Sequence, residues 1–288
     1  MALDRVAFAE EVGISYPDSW QAELLCSNAR RVLLNCSRQS GKSTVAAILA
    51  LHTALYKAGS LVLVLAPALR QSQESFQKIA TFYRLLGRPV PAQAERKLSL
   101  DLENGSRIVS LPGMEKTVRG FSGAALLIVD EAARVYDALY HAVRPMLAVS
   151  GGTLMMLSTP YGKRGAFFEE WTNGQGWRRY EIPATEVSRI SPGFLEEERR
   201  SLPERVFRQE YLCYFEETED QAFGHTVIES AFTDEYEPFD LADYEEAKSH
   251  EPAEQEAGLN RSLRRSGVRD ASSAALSNLG ERSYWSLG

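Results

Sequence analysis

The sequence predicts an α/β fold with a mainly parallel central sheet flanked by helices, on three observations. Leu61–Ala66, Ala125–Val129 and Thr153–Leu157 are unbroken apolar runs, the pattern of strands buried on both faces. Helical periodicities separate such runs, and alternation of strand and helix selects a parallel sheet with helices packed on it. Between one strand and one helix stands Ser37-Arg38-Gln39-Ser40-Gly41-Lys42-Ser43-Thr44, a polar turn in the setting that phosphate-binding loops require.

In chain order, Asp18 is placed to cap a helix running through Trp20–Leu25. Arg31–Asn35 is a short apolar strand. Lys42–Lys57 is a helix rich in Ala and Leu, closed by Gly59. After the strand Leu61–Ala66, Gln71–Leu86 reads as an amphipathic helix. Leu98–Leu102 and Arg107–Leu111 flank Glu103-Asn104-Gly105, whose Asn-Gly pair marks a hairpin or two neighbouring strands. Ala125–Val129 and Thr153–Leu157 are further buried strands, and helical patterns follow at 164–173 and 203–214.

The loop 37–44 opens a helix directly after a strand. Backbone N–H groups at such a turn attract phosphate oxygens. Gly41 lets the backbone approach closely, Lys42 suits the β- and γ-phosphates of ATP, and the Ser43 hydroxyl suits Mg²⁺. Arg38 adds positive charge beside the turn. Ser37, Gln39, Ser40 and Thr44 complete the candidate nucleotide-binding set. The common pattern GxxxxGK[ST] has glycine where this chain has Cys36. The strand–helix setting is what separates the loop from an ordinary turn with a solvated lysine.

The strand Ala125–Val129 runs into Asp130-Glu131. Ligands of open α/β sheets bind at the C-terminal strand edge. There Asp130 suits the water shell of Mg²⁺, and Glu131 suits orienting or deprotonating an attacking water. Adjacent acids also occur at solvated strand ends. The phosphate loop favours chemistry, because both motifs converge on one nucleotide. Asp130 lies 88 residues after Lys42, which leaves room for intervening strands and helices. Motor-type ATPases set a strand between the loop strand and the acidic strand; nucleotide kinases usually do not, and carry an arginine-rich lid that does not stand out here.

Three further positions have two readings each. Ser158-Thr159 after Thr153–Leu157 can reach a γ-phosphate or satisfy the local turn. Gln21 can pair with both edges of adenine, or be a surface amide beside a core Trp20. Arg119, in the loop Val118–Gly123, can stabilise phosphoryl charge in its own or a neighbouring subunit's site, or be a surface arginine.

Length and composition fit one or two globular domains: 288 residues, 44% hydrophobic and 25% charged. The net charge of −7 argues against a strongly basic nucleic-acid binder. The charge is unevenly spread, however. Residues 1–215 hold 26 basic and 22 acidic residues, 216–240 nine acids and no Lys or Arg, and 241–288 six basic and eight acidic. The body is mildly basic. The last 48 residues contain no Ile, Phe, Met or Cys and a single Val, Val268. That is too little apolar surface to offset ordering entropy, so a flexible or poorly folded tail is expected. No stretch of 18 apolar residues suggests a membrane span, and no apolar run follows the N-terminus as in a signal peptide. Cys26, Cys36 and Cys213 without a CxxC motif read as an intracellular protein without structural zinc.

Together these residues resemble the ATPase domain of the large terminase subunit, the motor that packages DNA into phage and herpesvirus capsids. The resemblance runs from about Tyr16 to Phe215. It takes in Gln21, the variant loop 37–43 with Arg38, Ala66-Pro67 with Gln71–Phe76, Val118-Arg119-Gly120, Val129-Asp130-Glu131-Ala132, and Ser158-Thr159-Pro160 followed by Gly162 and Phe167-Phe168. It implies a P-loop NTPase core of the additional-strand (ASCE, RecA-like) type over 1–160 and a small linker or lid subdomain over 161–220. It implies Arg119 as a trans-acting arginine finger and Thr159 as a coupling residue. The implied partners are double-stranded DNA, a portal protein, a small terminase subunit and further copies in a ring. The implied setting is the host cytoplasm, at the procapsid, with no membrane. Large terminases usually continue into an RNase H-like nuclease. Here residues 221–288 read as an acidic linker and a tail, disordered or non-native, so nuclease activity is not expected. A helicase-like ATPase needs a second RecA-like domain, for which the length leaves no room. An ATP-binding assembly protein has no need of the second acid, Glu131.

Overall fold

The strands are β1 (Arg31–Cys36), β2 (Leu61–Ala66), β3 (Ala92–Arg96), β4 (Ser99–Leu102), β5 (Arg107–Pro112), β6 (Ala124–Asp130), β7 (Thr153–Ser158) and β8 (Arg178–Ile182). The helices are α1 (Arg5–Glu11), α2 (Ser19–Cys26), α3 (Lys42–Tyr56), α4 (Leu69–Leu85), α5 (Asp137–Val143), α6 (Gly165–Thr172), α7 (Pro192–Ser201) and α8 (Glu204–Leu212). These elements come from a computed structural model that describes residues 4–113, 118 and 120–217.

The strands form one sheet in the order β3-β4-β5-β2-β6-β7-β1-β8. From β5 to β8 every neighbouring pair is parallel. Only β3–β4 and β4–β5 are antiparallel. Asn104-Gly105 turns the chain from β4 into β5, with Gly105 at φ +79, a left-handed conformation that glycine adopts without steric cost.

The apolar runs are continuous because both faces of the sheet are covered. Side chains alternate along each strand. Val32, Leu34, Val62, Val64, Leu126, Ile128, Met155 and Leu157 pack in one core with Phe8, Leu24 and helices α3 and α4. Their neighbours Leu33, Leu63, Leu65, Leu127, Val129, Leu154 and Met156 pack on the opposite face with Leu139, Tyr140, Val143 and Phe167.

The long interval between Lys42 and Asp130 carries β2 to β5. In space these strands lie beyond β6, away from β1. The strand that separates β1 from β6 is β7, which comes later in the chain. Residues 161–220, expected as a linker subdomain, supply β8, which pairs in parallel with β1 as an edge of the main sheet, together with α6, α7 and α8. The expectations for an acidic linker, a tail and a missing nuclease fall on residues outside those described. No helix among the described residues is long and apolar enough to cross a membrane.

Candidate functional site

Register brings the polar strand ends together. Asn35 of β1 pairs with Ser158 of β7, and Leu157 of β7 with Asp130 of β6. Thr159, Asp130 and the loop after β1 therefore share one edge of the sheet, the C-terminal edge where open α/β folds bind ligands. α3 begins at Lys42 immediately after the loop. Gly41 precedes it at φ +91, and a Cβ there would come within 2.8 Å of Gln21 Nε2. Glycine adopts that φ without steric cost, and any other residue there would be strained and would displace the Gln21 amide.

The loop lines a cavity of about 620 Å³. Arg38, Gln39, Ser40, Gly41, Lys42, Ser43 and Thr44 form one wall, and Gln71, Glu74 and Lys78 of α4 another. Glu131, Arg134, Thr159 and Arg189 complete it. Lys42 is only 8% exposed. Its Nζ donates to Thr159 Oγ1 at 3.1 Å and lies 3.6 Å from Glu131 Oε1. Ser158 has a different task, donating its hydroxyl to the Thr159 carbonyl at 2.7 Å. Ser158 thus satisfies the local turn, while the Thr159 hydroxyl faces the cavity beside Lys42.

Asp130 ends β6 almost fully buried. Its Oδ2 accepts from Ser75 Oγ at 2.9 Å, and its Oδ1 accepts from the Glu131 N–H at 3.0 Å. Ser43 Oγ stands 3.5 Å from Oδ1. Burial pushes the Asp130 carboxyl above the usual carboxylate range and the Glu131 charge adds to this, while Ser75 and Lys42 act against it. Glu131 takes a left-handed backbone, φ 52 and ψ 42, which costs a non-glycine residue about 1–2 kcal/mol. Such strain is concentrated at functional sites. Ser43 and Asp130 offer two converging oxygens, a donor set that fits Mg²⁺, since that ion keeps several waters and takes few protein ligands.

The loop is also tied to later parts of the chain. The Arg38 guanidinium pairs with the Glu210 carboxylate of α8, and the Arg38 N–H donates to the Glu210 carbonyl at 3.0 Å. Arg134 reaches the same carboxylate at 3.9 Å. Arg189 pairs with Asp18 at 2.9 Å and donates to the Ser40 carbonyl at 3.0 Å. Cys36, where the common pattern has glycine, is fully buried, and burial pushes its thiol up to about 12. It is a neutral, packed side chain.

Most of the loop residues picked from sequence line the cavity, as do Glu131 and Thr159. Ser37 lies beneath the loop; its Oγ is buried and has no hydrogen-bond partner among the described residues. Gln21 is buried rather than a surface amide. Its Oε1 accepts from the Asp18 N–H at 3.0 Å, closing the first turn of α2, and its Nε2 faces Gly41. Arg119 lies outside the described residues. Sequence reading missed Ser75, Lys78, Arg134, Arg189 and Glu210. Ser75 and Lys78 had a signal, three residues apart on one face of the amphipathic α4. The other three are placed by long-range packing and had none.

A sheet with β7 between β1 and β6, a phosphate loop leading into α3, and Asp130-Glu131 on the same edge define a RecA-like P-loop protein of the additional-strand class. Within that class the chain belongs to the family of the N-terminal part of the terminase large subunit, T4likevirus-type, whose profile matches residues 33–229. It is 28% identical over 247 residues to the terminase large subunit of Thermus virus P23-45, covering 72% of this chain and 50% of that protein. The chain spans about half the length of the curated relatives it matches. Its fold is similar to the large terminase ATPase domain of Thermus phage P74-26, with TM-score 0.65, 24% identity, and 73% and 98% of the two chains covered. It is also similar to the large terminase of a thermophilic bacteriophage solved in complex with ADP, with TM-score 0.54, 11% identity, and 74% and 53% covered.

Proposed function

We propose that this chain hydrolyses ATP and uses the energy to translocate double-stranded viral DNA into a procapsid. The observation that carries this reading is the placement of Lys42 between Thr159 and Glu131, with Ser43 and Asp130 alongside. In this reading, the loop N–H groups and Lys42 hold the phosphates. Ser43 and Asp130 would hold Mg²⁺, which when bound neutralises phosphate charge. Glu131 orients and deprotonates the attacking water. When Lys42 turns to the phosphates, Thr159 Oγ1 loses its donor, so its hydroxyl reports nucleotide state to β7.

Arg38 adds charge at the phosphates once released from Glu210, and Gln21, beside Gly41, recognises adenine. Arg119 serves as an arginine finger toward a neighbouring copy in a ring docked on a portal. A small terminase subunit and DNA are the further partners, in the host cytoplasm, and 161–220 acts as the lid. Family membership and the ADP held by the relative from a thermophilic bacteriophage support this reading. The test is ATP turnover of the purified chain with and without double-stranded DNA and portal rings. Stimulation is expected; turnover indifferent to both reduces the protein to a generic ATPase.

A further inference from the structure

Five cations line the nucleotide cavity: Arg38, Lys42, Lys78, Arg134 and Arg189. Four are paired within the protein. Arg38 and Arg134 share Glu210, Lys42 has Glu131, and Arg189 has Asp18. Lys78 has no carboxylate within ion-pair distance among the described residues. The nearby acid on its own helix, Glu74, is taken by Arg70 at 2.9 Å.

Helix geometry explains where Lys78 points. Positions three and four apart share one helical face. Gln71, Glu74 and Lys78 of α4 line the cavity, and Ser75, three residues before Lys78, bonds Asp130. Lys78 is therefore held on the carboxylate side of the cavity, across from the phosphate loop. Lys78 also lines a second groove on α4 with Gln77, Thr81 and Phe82. There it is half-buried and feels the like charge of Lys42, both of which depress its pKa, while Asp130 and Glu74 act the other way. Two ammonium groups line one cavity, Lys42 with Glu131 at 3.6 Å and Lys78 with no carboxylate within ion-pair distance among the described residues, an excess of positive charge that suits a ligand of several negative charges.

We infer that Lys78 is a second phosphate-binding lysine, acting in its own subunit on the terminal phosphate of the nucleotide. This rests on the ATPase reading above. The loop wall, rich in backbone N–H groups, takes the inner phosphates. The wall shared by Glu131 and α4 is left for the terminal one, where water attacks. Lys78 thus adds, from the α4 side, to the preference for a triphosphate over a diphosphate that Lys42 sets from the loop.

The test is binding of Mg·ATPγS and of Mg·ADP to the full chain, by calorimetry at fixed ionic strength, for wild type, Lys78→Met and Lys78→Arg. Methionine keeps an unbranched stem and removes the charge. The expected result is a loss of about tenfold to a hundredfold for ATPγS, the weight of a hydrogen bond to a charged group, with ADP changed by less than about twofold. Arginine restores most of the loss. Equal losses for both nucleotides, or no loss for ATPγS, overturn the assignment while leaving the ATPase reading standing. Wild-type protein that binds neither nucleotide removes the ATPase reading, and the Lys78 assignment with it.

Discussion

Ser75 donates its hydroxyl to Asp130 Oδ2 at 2.9 Å, joining the outer helix α4 to the carboxylate that ends β6. The bond favours the charged carboxylate against burial, which raises its pKa. Ser75→Ala removes it and allows that pKa to rise further. Asp130 is then protonated over a wider acid range. ATP turnover is expected to fall about tenfold, the weight of one hydrogen bond to a charged acceptor. The acid limb of the rate profile moves to higher pH. An unmoved acid limb would show that Asp130 does not set it.

Glu131 and Lys42 separate chemistry from binding. Glu131→Gln keeps the shape and removes the proton acceptor. Hydrolysis is expected to fall by about 10²–10⁴, the usual contribution of a general base. ATP affinity should hold or rise, because Lys42 loses its 3.6 Å partner and is free for phosphate. Lys42→Ala should instead weaken ATP binding itself. Nucleotide titration beside single-turnover hydrolysis distinguishes the two, and unchanged hydrolysis in Glu131→Gln sinks the base assignment.

The candidate site edge was legible in sequence because each part is local. An apolar run, a Gly41 turn and a helix start make the loop, and an apolar run ending in Asp130-Glu131 makes the acidic edge. The strands and helices read from such runs stand within a few residues of β1, β2, β6, β7, α3 and α4. What escaped has weak local signal. β3 is polar and mostly exposed, β8 has only Tyr180 and Ile182 buried, and α7 buries no residue. Neither Arg189 nor Glu210 carries a pattern, since their partners Asp18 and Arg38 lie 171 and 172 residues away. A strand between β1 and β6 was expected from the resemblance, but which strand fills the gap was hidden. β7 reaches the gap between β1 and β6 from beyond both in the chain, a placement that no spacing encodes.

Glu210 holds two arginines that line the cavity beside the loop, Arg38 and Arg134. An arginine so held is withdrawn from phosphate. Apparent nucleotide affinity is lowered by the fraction of molecules in the unready state. Glu210→Gln keeps the backbone bond to Arg38 and removes the charge. ATP affinity is expected to rise by about threefold to tenfold on that arithmetic. The thermal midpoint should drop by about 2–4 °C for the loss of about 1 kcal/mol in a domain of this size. A lower midpoint with unchanged affinity would leave Glu210 a purely structural partner.

Asp130 carries a stability prediction of opposite sign to its functional one. Burial and the Glu131 charge raise its pKa in the folded protein above that of the unfolded chain, about 3.9. The folded state therefore holds this proton more tightly than the unfolded state does. The stabilisation is fully present below the unfolded pKa and is lost as pH rises through the folded value. At neutral pH the ionised carboxylate opposes folding. Asp130→Asn removes the charge with little change of shape. Its Oδ1 can still accept from the Glu131 N–H, and its amide can donate to Ser75 Oγ. The variant should lose hydrolysis yet melt at a higher temperature near neutral pH, with its advantage shrinking as the pH falls toward the carboxylate range. Active sites held at the expense of stability show this trade. Should the variant melt lower at neutral pH, the cations Lys42 and Lys78 would outweigh burial, and the buried charge would be a net stabiliser of the cavity.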